Sequence, residues 1–294
     1  MRVAIVGEGH GWHVAELQRA LESRGHQCVV TPIRGMVARI GVWPPLSSRD
    51  VPLDDVDVVL VRIIPRGSLE QTIFRMDALH LVEARGVYVV NRAKAIERTV
   101  DKYYTSGVLE LAGVPTPRTV ICERSSDALE AFAALGGDVV IKPLFGSMGL
   151  GMVRVQHEEV AYRVFKALEI ERAVYYVQEF IPHSGRDIRA FVVGGRVLAA
   201  MERLTEGWRT NVARGARTRP VRLSPEQETL CLRAAQAVGA EYAGVDLLVA
   251  DDGSPYVLEV NGIPGWKGLQ TTTALDIAKE IVIYLENRVQ VQAV

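Results

Sequence analysis

Short apolar runs alternate with longer segments of helical period over the first ninety residues. Val3–Val6 is β-branched and ends at Gly7, the mark of a buried parallel strand. Trp12–Arg24 carries Val14, Leu17 and Leu21 at helical spacing and stops at Gly25. Gln27–Thr31, Asp57–Val61 and Val87–Val90 read as further strands, and Leu69–Arg85 as a helix closed by Gly86. Strands alternating with helices predict a small doubly wound sheet up to about Asn91. Gly35–Pro52 is Pro-rich and aperiodic, and reads as a loop.

The pattern then changes. Ala93–Ala112 is helical and is broken by Gly113-Val-Pro-Thr-Pro117, after which Arg118–Cys122 reads as a strand. Ser125–Leu135 reads as a helix with a serine cap, and His157–Ile170 as another. Asp138–Pro143, Gly151–Val155 and Ala173–Ile181 read as strands. Asp187–Val193 and Arg196–Glu202 flank a Gly-Gly turn. Ser224-Pro225-Glu226-Gln227 is a capping box opening a helix to Gly239, and Thr272–Arg288 is a closing amphipathic helix.

Tyr242–Gly268 organises the rest. Asp252-Gly253 is a strong two-residue hairpin signal, and centring the turn there sets Asp246 opposite Glu259. A four-residue loop from Asp251 to Ser254 gives the same pairing. Asn261 shares the face of Glu259, while Leu258 and Val260 point to the other. Facing carboxylates repel and are costly to desolvate, and a cation removes both problems. Three oxygen ligands suit Mg²⁺, which keeps waters and leans on phosphates, better than Ca²⁺. A half-buried hairpin with two solvated acids is the plainer reading of this stretch.

Bulk properties exclude several classes. At 294 residues and net charge −1, the chain has no global field to attract nucleic acid or a membrane surface. Cys28, Cys122 and Cys231 are scattered and lack CxxC spacing, which favours a reducing compartment over disulfides or zinc. No run is long enough for a signal peptide or a membrane span, so a cytoplasmic protein is expected. The turn Gly7-Glu8-Gly9-His10-Gly11-Trp12 fails as a dinucleotide fingerprint, because Trp12 stands where the third glycine belongs. Ile141-Lys142-Pro143 followed by Gly146, Gly149 and Gly151 is a glycine-rich loop between two strands, not a Walker loop. It suits a flap whose backbone amides approach phosphate, with Lys142 reaching in from the strand before it. Gln178-Glu179-Phe180-Ile181 leaves a strand with a carboxylate among apolar residues, fit for an adenine edge and ribose hydroxyls. Asp187 follows after a short polar loop.

Together, IKPLFGSMGLG, VQEFIPHSGRDIRAFVVGGRVLAAMER, WRTNVARG, AGVDLL and VLEVNGIPGWKGLQ resemble the ATP-grasp fold and, within it, the RimK-type α-L-glutamate ligases. The resemblance runs from about Asn91 to Glu286. It implies an α/β fold with α+β parts: a small N-terminal sheet (residues 1–92), then a central subdomain with the glycine flap (93–184) and a C-terminal subdomain with the metal ligands (185–294), clasping ATP. The cofactors implied are ATP and Mg²⁺ or Mn²⁺. Lys102 and Lys142 would contact phosphates, with Gly146, Ser147, Gly149 and Gly151 in the flap. Gln178, Glu179, Phe180 and Ile181 would hold adenine, and Asp187 the ribose. Arg189, Arg209 and Asn211 would lie near the phosphates, with Arg203, Asn211 and Arg214 as the catalytic set. Asp246, Glu259 and Asn261 would bind metal.

The activity implied is formation of an amide from a carboxylate and an amine through an acylphosphate, with glutamate as the amine donor and a small molecule or peptide as acceptor. A homo-oligomer, dimer or tetramer, is expected. Ala213 and Gly262-Ile263-Pro264-Gly265 depart from the family pattern, which has His and Ala-Ser-Pro-Gly there. EVNGIPGWKGL and FRMDALH look closer to the branch acting on tetrahydromethanopterin-type cofactors. Other readings are an ATP-grasp ligase for an amino-group carrier protein or a D-amino acid, and a nucleotide-binding regulator without catalysis. Arg209, Arg214, Arg217, Arg219 and Arg222 form a local basic excess, read as either an anion site for an acidic acceptor or a solvated loop.

Overall fold

The structure, a computed structural model, describes residues 1–146, 149–210 and 216–292. It opens with strand β1 (Arg2–Val6), helix α1 (Trp12–Ser23) and strand β2 (Gln27–Thr31). Three short strands follow, β3 (Met36–Ala38), β4 (Leu46–Ser48) and β5 (Val51–Pro52). Then come β6 (Val58–Val61), α2 (Leu69–Ala84) and β7 (Tyr88–Val90). The order β2-β1-β6-β7 is parallel throughout, as alternating strands and helices require.

The stretch 35–52 is not a loop. Strands β3, β4 and β5 form a small antiparallel sheet, with Leu46, Ser47 and Ser48 buried. Polar side chains hold it: Thr31 Oγ1 donates to Ser48 Oγ (2.8 Å), and Ser48 Oγ donates to the Pro32 carbonyl (2.6 Å). A buried seryl pair leaves no hydrophobic period, which is why the strand is invisible in the sequence.

The segment 93–112 is two helices, α3 (Ala93–Val100) and α4 (Lys102–Leu111). Asp101 divides them, its carboxylate accepting from the Tyr104 amide at 3.1 Å as a fresh N-cap. The central unit comprises β8 (Thr119–Cys122), α5 (Ser125–Ala134), β9 (Val139–Lys142), β10 (Val153–Val155), α6 (Glu158–Ile170) and β11 (Tyr175–Glu179). Its sheet is antiparallel, ordered β10-β9-β11-β8. Ser125 does not cap α5; it lies inside the helix and donates to Glu169 Oε1 at 2.7 Å, joining α5 to α6. Phe132, Phe165, Tyr175, Val139 and Ile141 form a core belonging to this unit alone.

The C-terminal sheet is antiparallel, ordered β14-β13-β12-β15-β16. Its strands are β12 (Arg186–Val193), β13 (Arg196–Leu204), β14 (Arg217–Pro220), β15 (Tyr242–Val249) and β16 (Pro255–Asn261). Gly194 and Gly195 turn β12 into β13 at φ 57° and 75°, left-handed values that glycine adopts freely. Helix α7 (Pro225–Val238) has the Ser224/Gln227 capping box and a left-handed Gly239. Its Leu230, Cys231 and Val238 pack on Val245, Leu247 and Val260, and Leu109 and Val114 join that core. Helix α4 and the turn after it are thus fixed to the C-terminal sheet. After the short helix α8 (Lys267–Gln270), helix α9 (Ile277–Gln292) starts five residues later than the sequence pattern suggests. Asp276 sets that start, accepting from the Lys279 amide at 3.0 Å.

Residues of β1, α1 and β7 share one core with Phe191, Tyr242, Trp266 and α9. Asn91, fully buried, fastens this junction. Its amide nitrogen donates to the carbonyls of Tyr242 (2.7 Å) and Gly262 (2.6 Å), and its oxygen accepts from the Glu241 amide (2.7 Å). The N-terminal sheet therefore forms one packed body with the C-terminal sheet. Among the described residues, no helix is long and apolar enough to cross a membrane.

Candidate active site

The hairpin β15–β16 brings Asp246 opposite Glu259 and Gly244 opposite Asn261, the pairs expected from the sequence. The route to that register differs. The tip is a three-residue loop: Ala250 donates to Ser254 O at 2.9 Å, and Gly253 sits at φ 90°. Leu247 then pairs with Val257, and a bulge at Leu258 restores the register before Glu259. Leu258 is the extra residue, so it does not point away from the site. Leu248, Leu258, Asp246 and Glu259 all line one cleft.

The cleft lies between the central and C-terminal sheets. Lys142, Gln178, Glu179, Phe180 and Ile181 line it from one side, and Asp187, Arg203, Asp246 and Glu259 from the other. Lys142 ends β9, and its Nζ donates to Gln178 Oε1 at 2.5 Å. Gln178 is oriented in turn by Thr119 Oγ1 (2.9 Å) and the Tyr176 hydroxyl (3.2 Å). Burial pushes the Lys142 ammonium down to about 8; the negative charge of Glu259 partly offsets this, and Lys102 adds to it. Lys102 is lowered in the same way, chiefly by burial and against Glu259 and Asp101. Its Nζ donates to the carbonyls of Leu144 (3.4 Å) and Gly146 (3.1 Å), at the root of the glycine loop. Gly146, Gly149 and Gly151 all take positive φ, which explains three glycines in six residues.

Four charges alternate across the C-terminal sheet because the strand register puts them on one face. Arg189 pairs with Asp246 across β12–β15, and Asp187 with Arg203 across β12–β13. Arg203 grips Asp187 with two hydrogen bonds (2.6 and 2.5 Å), and Thr210 Oγ1 adds a third (2.5 Å). Arg203 also lies 3.1 Å from Asp246 Oδ1. Arg189 donates to Asp246 Oδ2 at 3.0 Å, and its Nε lies 2.6 Å from Oδ1. Those contacts to Oδ1 are ion-pair distances without hydrogen-bond alignment, and Oδ1 remains buried and unsatisfied, as does Arg189 Nη1. Gly244 makes room for this arginine, since a Cβ there would sit 2.2 Å from Nη1.

Several predicted site residues have protein partners in the structure. The Asp187 carboxylate, assigned to ribose, is held by Arg203 and Thr210. The Glu179 carboxylate is held by Arg118, through its amide (2.7 Å) and Nε (2.6 Å). Phe180 presents its face to Arg154, whose guanidinium carbon is 3.4 Å from the ring centroid. Arg209 donates to the Met152 carbonyl, joining the segment after β13 to the glycine loop. Asn261 Oδ1 accepts from the Ile263 amide at 3.0 Å. Arg219 pairs with Glu202 on the neighbouring strand, so this member of the arginine run is cross-strand pairing on an edge. Ser147, Asn211 and Arg214 lie outside the described residues.

Other contributors escaped the sequence reading. Trp208 and Thr210, inside the WRTNVARG segment, and Met152, just past the glycine loop, line the cleft although the sequence reading gave them no role. Arg62, after β6, donates to Tyr242 Oη (3.0 Å) and Pro264 O (2.7 Å) and lies over Trp266. His13 Nε2 accepts from the amides of Trp266 (2.9 Å) and Lys267 (3.3 Å). Burial first, then Arg62 and Lys267, hold its imidazole down to about 4, so it is neutral. The first turn of α1 and the residue after β6 thus support the loop after Asn261.

The cleft holds about 90 Å³. Sites for drug-sized molecules hold roughly 300–1,000 Å³. A nucleotide needs the glycine loop and the 205–210 segment to part. The donor set has the chemistry for a hard divalent cation, two carboxylates and an amide oxygen on adjacent strands; Glu259 has no ion-pair partner among the described residues, whereas Asp246 is ion-paired to Arg189 and Arg203.

Comparison with known proteins agrees with this arrangement. Residues 1–96 match the family model described as the RimK PreATP-grasp domain, and residues 99–285 that of the RimK-like ATP-grasp domain. The chain is 36% identical over 267 residues to the tetrahydromethanopterin:alpha-L-glutamate ligase of Methanosarcina acetivorans, covering 81% of this chain and 82% of that one. It is 35% identical over 292 residues to a probable alpha-L-glutamate ligase of Halorhodospira halophila, covering 97% and 95%. The structure of the ATP-grasp ligase PsnB with a minimal precursor, Mg and ADP superposes at TM-score 0.74, with 21% identity, over 99% of this chain and 97% of that one.

Proposed function

This chain belongs to the RimK-like ATP-grasp family, and from that premise we propose that it is an ATP-dependent ligase joining L-glutamate to a carboxylate-bearing acceptor. The acceptor carboxylate oxygen attacks the γ-phosphorus of ATP, the bond to the β,γ-bridging oxygen breaks, and ADP leaves an acylphosphate. The glutamate amine then attacks the acyl carbon; phosphate leaves, the amine gives up a proton, and an amide remains. The carrying observation is the cleft itself, where Lys142 from one sheet faces Asp246 and Glu259 from another.

Each residue has a task in that scheme. Lys142 and Lys102 neutralise phosphate oxygens, and Gln178 aims Lys142. The backbone of Glu179 to Ile181 presents hydrogen-bonding groups to the adenine edge. Arg118 pins the Glu179 side chain, so this strand end is fixed before nucleotide arrives. Arg203 and Arg189 orient Asp246, and the free Arg189 Nη1 offers a donor to the transferring group or the acceptor carboxylate. Asp246, Glu259 and Asn261 would hold Mg²⁺, a Lewis acid that offsets the charge developing on the phosphates. The relatives' printed names support glutamate as the amine donor. The three cysteines are free, which fits a cytoplasmic setting.

The test is a purified chain with Mg-ATP and L-glutamate, screened against carboxylate acceptors. Expected are ADP release and an acceptor heavier by one or more glutamyl residues. ADP release that is indifferent to glutamate, together with product lacking it, would overturn the amine assignment.

A further inference from the structure

The N-terminal sheet carries a second group of arginines that the scheme above leaves unused. Arg34 follows β2, Arg66 follows β6, and Arg75 lies in the second turn of α2. With Ile33, Gln71 and Phe74 they line a cavity of about 470 Å³. Arg75 is 5% exposed, and its Nη1 donates to the Pro65 carbonyl at 2.8 Å. Among the described residues, none of the three arginines has a carboxylate partner. A buried guanidinium held only by a carbonyl is costly, and an anion in the cavity removes that cost.

The local backbone is shaped around this side chain. A Cβ on Gly67 would sit 2.8 Å from Arg75 Nη1 and 2.7 Å from Gln71 Oε1, so glycine lets the chain close over the guanidinium. The next residue, Ser68, caps α2, whose amino end adds positive potential beside the arginines. The cavity also lies at the carboxyl ends of parallel strands, where open α/β sheets take their ligands. Arg66 is four residues past Arg62, at most about 14 Å of chain. Arg62 contacts Pro264, three residues after Asn261. Arg62 and Pro264 thus connect the wall of the cavity to the loop that follows Asn261.

We propose that this cavity binds the distal anionic group of the acceptor, a phosphate or paired carboxylates, while its reacting carboxylate lies in the cleft. The inference rests on the ligase reading for its ligand and on Arg34, Arg66 and Arg75 for its site. It makes the N-terminal sheet the ruler that selects acceptors acidic at both ends.

Calorimetry tests it on the full chain saturated with Mg-AMPPNP, which keeps the probe out of the phosphate site. Inorganic phosphate and L-Glu-L-Glu are titrated separately. One probe, or both, binds once per chain, and the tighter identifies the anion. In R34A/R66A, two exposed positions, that binding weakens about tenfold or more, while AMPPNP affinity and melting temperature stay put. R75K keeps the charge and loses the planar fork, and weakens it too. No binding of either probe to the wild type, or unchanged affinity in R34A/R66A, overturns the proposal. Failure of AMPPNP to bind would instead count against the ligase reading. The same titration without nucleotide then still decides the cavity.

Discussion

Asp246 and Glu259 are matched as metal ligands but stand in different environments, and single substitutions separate their roles. Asp246 neutralises two half-buried or buried arginines, whereas Glu259 has no ion-pair partner among the described residues. Asp246→Asn therefore removes turnover and also leaves Arg189 without a charged partner, while Arg203 keeps Asp187, lowering stability on the order of 3 kcal/mol. Glu259→Gln removes turnover and leaves the melting temperature within a degree or two. Paired thermal melts and ADP-release assays check this; equal melting loss in both variants would refute the division. Lys142 gives a pH signature. In the free protein its ammonium loses its proton near pH 8 because of burial, and only the charged form attracts phosphate. Bound phosphate raises that pKa, so binding above pH 8 takes up a proton. The Kd for ATP then rises as pH climbs past 8, by up to about tenfold per unit. Calorimetry between pH 7 and 9.5 measures the slope, which Lys142→Met should flatten. At this scale the sequence named candidate side chains but not their partners. Asp187 and Glu179 looked like free carboxylates because Arg203 and Arg118, which occupy them, are distant in the chain or set by strand pairing.

The hairpin β15–β16 shows what a local pattern can and cannot fix. Alternation of apolar and polar residues identified the face that carries Asp246, Glu259 and Asn261. The turn length was misjudged, and a bulge at Leu258 absorbed the difference. Bulges leave no period, so one extra residue in a strand cannot be read from alternation. The consequence is testable. Deleting Leu258 removes the bulge and keeps Glu259 opposite Asp246, because Leu247 and Val257 still set the ladder. Turnover should survive that deletion, while inserting one residue between Glu259 and Val260 turns Asn261 to the opposite face and should abolish it. If the insertion variant folds and turns over, the register of β16 does not set the site. Elements bounded by strong caps, such as α7 with Ser224, Pro225 and Gly239, were legible to the residue. Strand β4 was not, because its inward face is serine held by hydrogen bonds instead of apolar contact.

Across the whole molecule, the cores divide the chain otherwise than its motifs do. One core runs from β1 through α9 and joins the first and last parts of the sequence, and the central sheet keeps its own. Contacts of such sequence separation carry no local signal, which is why the fusion of the first and last parts of the chain was not readable. The central and C-terminal sheets meet at a 90 Å³ cleft, and nucleotide entry there is expected to need the Arg209–Met152 contact to open. Arg209→Ala should then raise the ATP association rate in stopped flow and shorten the occupancy of bound ADP. An unchanged association rate would mean that this contact does not gate the site. The Arg118–Glu179 clasp has a separate implication. The chain enters and leaves the central body at adjacent residues, with the Glu179 amide donating to Arg118 O at 2.9 Å. The central sheet is thus an insertion in a continuous host. Excising residues 116–181 and bridging the ends with a few glycines should leave a host that still melts cooperatively. The cleft would be halved by that cut, since Lys142 and Gln178 leave with the insertion while Asp246 and Glu259 stay in the host.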